Sequence, residues 1–254
     1  MDTKKICVVT YLSNNETYND NVDRVATELK DSLFSVEQVY FLDDECKEIP
    51  IRNDCRQIYM KGTKYKKLTH IINNFDYDYI VSIDNDIVSD INALRVFFGK
   101  LLINKADVGW GKVSSISRNC FVENLVDFDK LLSHNVLRPF LWCLKIGVSI
   151  PGQFFVIRRD FYYGKLLDND TYLDDISLGI ISSRYNANIM YSKDIISYEK
   201  PNSNLLGLFR QRRRWAFGMH QVVNNINLNR RDKFVIYLHI FMYHFLWVPN
   251  LLLF

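Results

Sequence analysis

Short apolar runs separated by amphipathic helical patterns constrain this chain more than any other feature. The runs are Ile6 to Leu12 (ICVVTYL), Val36 to Leu42 (VEQVYFL), Tyr79 to Ile83 (YIVSI) and Gly152 to Ile157 (GQFFVI). Each is strand-length and rich in β-branched or aromatic residues, and so reads as a strand. Between the first two, Val22, Val25, Leu29 and Leu33 recur at helical spacing. Between the second and third, Leu68, Ile71, Ile72 and Phe75 do the same. Strands alternating with helices predict an α/β fold, with a mostly parallel central sheet and helices on its faces. A chain of 254 residues can bury one main core of this kind.

Charge and cysteine usage narrow the classes. A formal excess of +3 is small, so a basic site must be local rather than a property of the whole chain. Nucleic acid is not an expected partner. Cys7, Cys46, Cys55, Cys120 and Cys143 show neither a C-x-x-C pair nor zinc spacing, which fits a reducing setting. The N-terminal stretch MDTKKICVVTYLS reads as a first core strand rather than a signal peptide. From Phe234 to Phe254 the chain has no acid, Lys or Arg, approaching the roughly 20 residues of a membrane-spanning helix. Arg230, Arg231 and Lys233 precede this run and would hold the preceding domain on the cytoplasmic side. Pro249 and Asn250 shorten its clean span, leaving a buried or interfacial helix as the alternative.

In sheets of this class, ligands gather beyond the carboxyl ends of the strands. Here those ends are acidic: Asp43-Asp44-Glu45 follows the second run, Asp84-Asn85-Asp86 follows the third, and Asp174-Asp175 opens a later helical pattern. Two carboxylates aimed at one small volume repel unless a divalent cation or a donor-rich ligand lies between them. Each pair also has a local explanation, since Asp suits turns after strands and the first turn of a helix. Three together suggest one acidic cleft.

Two families use such arithmetic. A haloacid-dehalogenase-like phosphatase would read IDNDIV as its nucleophile motif, with Asp84 attacked by phosphate and Asp86 as acid/base. That motif follows the first core strand, whereas two apolar runs precede it here. The family 2 glycosyltransferases give an ordered match from about residue 5 to 218. VVTYLSNN resembles their first nucleotide-binding strand and loop, VYFLDDE their second strand, and GTKYKKLTHIINNFDYDYIVSIDND their Gly-Lys, helix and D-x-D stretch. PGQFFVIRRDFYYG is similar to their acceptor-side segment, YLDDISL to the E-D-x-x-L motif and QRRRW to Q-x-x-R-W. The sequence resembles the cytosolic domain of hyaluronan, chitin and cellulose synthases. It departs from them in reading D-D for E-D, in the lone Gly164, and in Gln153 at a position where a small residue is common.

The resemblance implies a GT-A domain over residues 1–218, with a juxtamembrane and apolar helical segment over 219–254. It implies inverting transfer of a hexosyl group from a UDP-sugar to a glycan or lipid-linked acceptor at the cytoplasmic membrane face, with Mg²⁺ or Mn²⁺. Thr10, Asp43 or Asp44, Lys64, Asp84 and Asp86 would handle the donor, with Asp86 on the metal. Asp175 would be the general base. Gly152, Gln153, Asp174, Gln211, Arg214 and Trp215 would serve the acceptor or the diphosphate, and Arg212 and Arg213 are expected to be more replaceable. A third reading, a non-enzymatic basic module built on RQRRRW, leaves the acidic sites unexplained.

Overall fold

The computed structural model describes residues 3–13, 16, 18–31, 34–43, 55–143, 150–168, 170–224 and 227–241. They form two compact units, each assembled from separate stretches of chain. The first comprises residues 1–116, 151–166 and 187–200, and the second residues 117–150, 167–186 and 201–254.

The first unit holds the strands β1 (Lys5–Leu12), β2 (Ser35–Leu42), β3 (Arg56–Tyr59), β4 (Tyr79–Ile83), β5 (Ile87–Ser89), β6 (Val108–Ser115), β7 (Phe154–Arg158) and β8 (Ile189–Glu199). Its helices are α1 (Asn21–Asp31), α2 (Lys64–Asn74), α3 (Ile91–Ile103) and the short α6 (Arg159–Tyr162). All four apolar runs become strands, and both amphipathic patterns become helices. One sheet joins the strands in the order β3-β2-β1-β4-β7-β6-β8-β5.

The sheet is mixed, which corrects the mostly parallel expectation. Parallel pairing links β1 with β2 and β4, β2 with β3, and β6 with β8. By contrast, β7 is antiparallel to both β4 and β6, and β5 is antiparallel to β8. An apolar run reads alike in either direction, so periodicity carries no sign for β7. Because β7 is reversed, the residues before it, Gly152 and Gln153, share the edge reached by the carboxyl ends of β1, β2 and β4.

Strand alternation sorts the two faces. Ile6, Val8, Phe154 and Val156 pack with Val22, Val25 and Leu29 of α1 and with Leu94, Phe97 and Leu101 of α3. On the opposite face Tyr11 stacks on Phe41, whose ring meets His70 of α2. A third layer member missing from the apolar-run pattern is β6, whose sequence VGWGKVSS has two glycines in mid-strand. Both are explained by close approach: a Cβ on Gly109 would stand 2.7 Å from Leu101 Cδ1, and one on Gly111 2.9 Å from Ile196 Cγ1.

The second unit contains α4 (Phe121–Leu132), a π-helical turn (Ser133–Leu137), α5 (Arg138–Cys143), α7 (Asp174–Arg184), α8 (Leu205–Val223) and α9 (Arg230–Ile240). Val122 and Val126 of α4 pack on Leu208 of α8. A full capping box starts α9, with Asn229 and Asp232 each accepting from the other's backbone N–H. Asp232 also pairs with Arg184 of α7. Residue 218, where the sequence reading ends the transferase domain, lies within α8. The expected C-terminal apolar helix is not found: among the described residues no helix is long and apolar enough to cross a membrane. The run begins inside α9, and residues 242–254 lie outside the described residues.

Candidate active site

The acidic strand ends of the first unit are organised by one face of α2. Thr63 caps this helix, and Lys64 and Lys67, three residues apart, project from the same side. Lys64 donates to Asp84 Oδ1 at 2.7 Å and also to the Gly152 carbonyl, with its ammonium over the rings of Tyr11 and Phe155 at 5.2 and 5.3 Å. One turn on, the buried Lys67 donates to Asp43 Oδ1 at 3.0 Å. Asp43, Asp84 and Gly152, far apart in sequence, are therefore gathered by two ammonium groups. Asp44, the alternative to Asp43, lies outside the described residues.

The turn carrying the D-x-D pair is fixed from three sides. The Asp84 N–H donates to the Gln153 carbonyl at 2.9 Å, Ile87 N–H returns to the Asp84 carbonyl at 3.2 Å, and Asn19 Nδ2 donates to the Asn85 carbonyl at 2.8 Å. Asn85 is buried, whereas Asp86 is turned out to solvent. Partial burial, followed by the charges of Asp84 and Glu199, pushes the Asp86 carboxyl up to about 6, even though the side chain keeps an open side. Glu199 comes from the end of β8, where it pairs in register with Ile87.

This donor set fits a hard divalent cation. Oxygen donors suit Mg²⁺ or Mn²⁺, and an acid held above its ordinary range by neighbouring acids gains from a nearby positive charge. Among the described residues, no group of three or more His, Cys, Asp or Glu side chains is set to hold an ion. A cation bound through one or two carboxylates and completed by substrate phosphates and water needs no such group.

Thr10 has a different part from the one expected. It is fully buried, and its hydroxyl donates to the Ile83 carbonyl at 2.8 Å, tying β1 to the end of β4 just before Asp84. Its side chain, enclosed in the sheet, supports the turn from within.

The second unit carries the remaining candidates. Asp174 is buried and Asp175 half-buried in the first turn of α7, where the helix dipole favours acids. Asp175 Oδ1 accepts from the Ile176 N–H at 2.9 Å. The segment leading into α7 is packed tightly on α8: a Cβ on Gly218 would stand 2.7 Å from Leu173 Cγ. On α8, Gln211 accepts from Asn202 Nδ2 at 3.1 Å. Trp215 is half-buried, with the Arg212 guanidinium 4.4 Å from its ring centroid.

The three consecutive arginines diverge, because each helical residue turns about 100°. Arg212 points inward and pairs with Asp129 of α4, whereas Arg213 and Arg214 are exposed. Arg212 is thus held inside the unit by Asp129 rather than left as a solvated charge. Arg214 makes no ion pair among the described residues.

Residues 79–254 match the family described as glycosyl transferase family group 2, a span containing the D-x-D pair, the D-D pair and the Q-x-x-R-W stretch. The chain belongs to this family. It is a glycosyltransferase, and its mixed sheet with helices on both faces fits the GT-A fold. The phosphatase and basic-module readings lapse with that membership. Placement agrees, because Asp84 follows β4, beyond three earlier sheet strands and already engaged by Lys64.

Solved structures similar to this glycosyltransferase include glucosyl-3-phosphoglycerate synthase from Mycobacterium tuberculosis with Mn²⁺, UDP and phosphoglyceric acid. It is 19% identical with a TM-score of 0.61, over 89% of this chain and 80% of that one. The same synthase with Mn²⁺ and UDP-glucose aligns at 20% identity and a TM-score of 0.59, covering 83% and 76%. Its Mg²⁺ and UDP complex aligns at 19% and 0.56, covering 81% and 74%. At such identities the likeness shows the fold. No curated protein matches the chain in sequence.

Sequence reasoning missed three contributors to the site of this transferase. Lys67 was hidden within the helical pattern of α2, although a lysine at i+3 from Lys64 on the same face was the available signal. Glu199 ends a strand that its mixed composition concealed. Asn19, in the loop after β1, had no signal of its own.

Proposed function

We propose that this chain transfers a hexosyl group from a UDP-sugar to an acceptor hydroxyl, with inversion and with a divalent cation. The observation that carries this reading is the α2 clamp, which holds Asp43 and Asp84 at one sheet edge while leaving Asp86 open beside them. Such an edge offers carboxylates for the hydroxyls of a nucleoside and a single open acid for a cation. The Mn²⁺, Mg²⁺, UDP and UDP-glucose found with the mycobacterial synthase support the same donor chemistry.

In the proposed roles Asp43 and Asp84 bind the nucleoside, with Lys67 and Lys64 fixing their orientation. A bound Mg²⁺ or Mn²⁺ would take Asp86 as its protein ligand and supply positive charge toward the diphosphate. Asp175 is the general base: it takes the acceptor's proton as that oxygen bonds to the anomeric carbon and the bond to UDP breaks, with the electron pair leaving on the diphosphate. Asp174, next to it in sequence, shares the first turn of α7. Gln211 and Arg214 donate hydrogen bonds to diphosphate or acceptor oxygens, and Trp215 offers a ring face to a sugar. The Gly152-Gln153 segment serves the acceptor side. The ordered motifs support placing the chain beside membrane polysaccharide synthases, acting on a glycan or lipid-linked acceptor at the cytoplasmic membrane face.

The test is UDP release from a panel of UDP-sugars with Mn²⁺ or Mg²⁺, comparing the full chain with Asp86→Asn and Asp175→Asn. Loss in both variants is expected. Undiminished turnover in both would sink the assignment.

A further inference from the structure

The segment that leads into α7 in the second unit presents one tyrosine to solvent between two inward anchors. Thr171 is fully buried, Tyr172 is 53% exposed, and Leu173 is buried again. The Thr171 hydroxyl accepts from Leu173 N–H at 3.2 Å, a local turn that fixes the backbone around Tyr172. Helix α8 comes close at its buried Gly218, where a Cβ would stand 3.3 Å from Tyr172 Cβ as well as striking Leu173. With no side chain there, the Tyr172 ring reaches Phe217, centroids 6.1 Å apart and planes inclined at 53°. Phe217 is itself 54% exposed. A further tie runs from Tyr172 N–H to Gln221 Oε1 at 3.4 Å.

Single exposed aromatic rings are ordinary on a protein surface. This pair is set apart by its polar company. Arg214, Phe217 and Gln221 stand at offsets of 0, 3 and 7 on α8, and so share one face of the helix. Arg214 is exposed, and the Gln221 amide nitrogen has no protein partner among the described residues. Tyr172 precedes Asp175 by three residues, no more than about 11 Å of chain. Two aromatic faces, an amide and a guanidinium therefore lie together beside the acid assigned as base. A sugar ring fits that set, because its C–H-rich face packs on the electron-rich face of an aromatic ring while its hydroxyls take hydrogen bonds at the rim. An alkyl chain would leave the donors unpaired, and a small acidic acceptor would use Arg214 without the rings. Trp215 is a separate feature: it points about 200° around the helix from Phe217, and Arg212 lies over its ring.

We propose that Tyr172 and Phe217 form a second acceptor subsite, which holds a neutral sugar ring behind the ring whose hydroxyl is attacked, so that an oligosaccharide of two or more rings is the preferred acceptor. The inference rests on Asp175 and Arg214 serving the acceptor. The two rings are fixed before any ligand arrives, so little freedom is lost on binding. They act as specificity-determining residues and take no part in proton transfer.

The experiment is acceptor-dependent UDP release by the full chain with Mn²⁺ and UDP-glucose, UDP-galactose or UDP-N-acetylglucosamine. The acceptors are the methyl glycosides and the linear di- and tetrasaccharides of glucose, galactose and N-acetylglucosamine, with phosphoglyceric acid as an acidic comparison. With the best donor, kcat/KM for an oligosaccharide is expected to exceed that for its methyl glycoside by about tenfold or more. This preference in the unaltered chain tests the proposal even where a variant fails to fold. Tyr172→Ala and Phe217→Ala should each raise the oligosaccharide KM by about tenfold while lowering kcat by less than about threefold, erasing the preference. Tyr172→Phe and Phe217→Tyr, which keep the rings, should retain it. Phe209→Ala, which removes another exposed ring of α8, should change neither constant. An oligosaccharide KM unmoved by the alanine variants, a rise matched by Phe209→Ala, equal use of methyl glycosides and oligosaccharides, or a preference for phosphoglyceric acid overturns the proposal. So does UDP release that no glycan increases. Asp175→Asn separates the two readings. Loss of acceptor-dependent release in that variant, with the alanine variants silent, leaves the base assignment standing and strikes the subsite alone. Undiminished release strikes the base assignment and the subsite with it.

Discussion

The two units hold their polar residues in opposite ways. In the first, Asp43 and Asp84 are restrained by lysines from one helix face, and the D-x-D turn is bound by the backbone of the adjoining antiparallel strand and by Asn19. In the second, Asp174, Asp175, Gln211, Arg214 and Trp215 sit on two helices, and α8 keeps a broad exposed face. A restrained donor edge suits an invariant ligand such as a nucleotide. A helical unit with open faces suits an acceptor and a surface that vary. Under the proposed roles, rigidity lies where recognition is repetitive, since a side chain already paired and oriented loses little further freedom on binding.

Four experiments can break or sharpen this contrast. The largest expected effect is on chemistry: Asp175→Asn should lower the rate of UDP release by roughly 10² to 10⁴-fold, as loss of a general base does, with Asp86→Asn in the same range. An unchanged thermal midpoint would separate that loss from unfolding.

Next is the clamp itself. Lys64→Met should lower turnover by about 10- to 100-fold and destabilise the first unit by about 1–2 kcal/mol, because it leaves half-buried Asp84 beside Asp86 without its counter-charge. Lys66→Met, on an exposed neighbour, should change neither quantity. If the two variants behave alike in assay and melting, the donor edge is not restrained as described.

The third tests pH. With the Asp86 carboxyl pushed up to about 6, it carries its proton below that pH and is charged above it. Mn²⁺ binding followed by electron paramagnetic resonance should therefore weaken as pH falls, by about tenfold from pH 7 to pH 5, and be flat above 7. Asp86→Asn should abolish that dependence.

The smallest effect belongs to the arginine row. Arg212→Gln removes the partner of Asp129 and the cation over Trp215, and should cost about 1–2 kcal/mol in chemical denaturation. Arg213→Gln should stay within about 0.5 kcal/mol. Equal values would erase the inward and outward distinction.

Much of the first unit was legible in the sequence because its strands are buried on both faces and leave continuous apolar runs. Tyr79 to Ile83 is the clearest, appearing as β4 with the expected bounds. What was not legible followed from direction and from company. The reversal of β7 cannot be read from GQFFVI, and β6 and β8 carry Gly, Lys and Ser where tight packing or exposure permits them. In the site, the acids were visible because carboxylates after apolar runs are conspicuous. Their partners were not, since Lys67 and Arg212 look like surface charges until the fold turns them inward. Thr10 is the converse case: a hydroxyl at a strand end looks available, but the sheet uses it.

The ammonium of Lys64 also has a consequence for how such a chain can be rebuilt. By holding Asp84 and the Gly152 carbonyl together, it closes the chain around the excursion that runs from Ser117 to Ile150. A designer who exchanges residues 117–150 as a cassette inherits the return of the Gly152 carbonyl to the lysine, together with the Asp129 partner of Arg212 and the packing of Val122 and Val126 on Leu208.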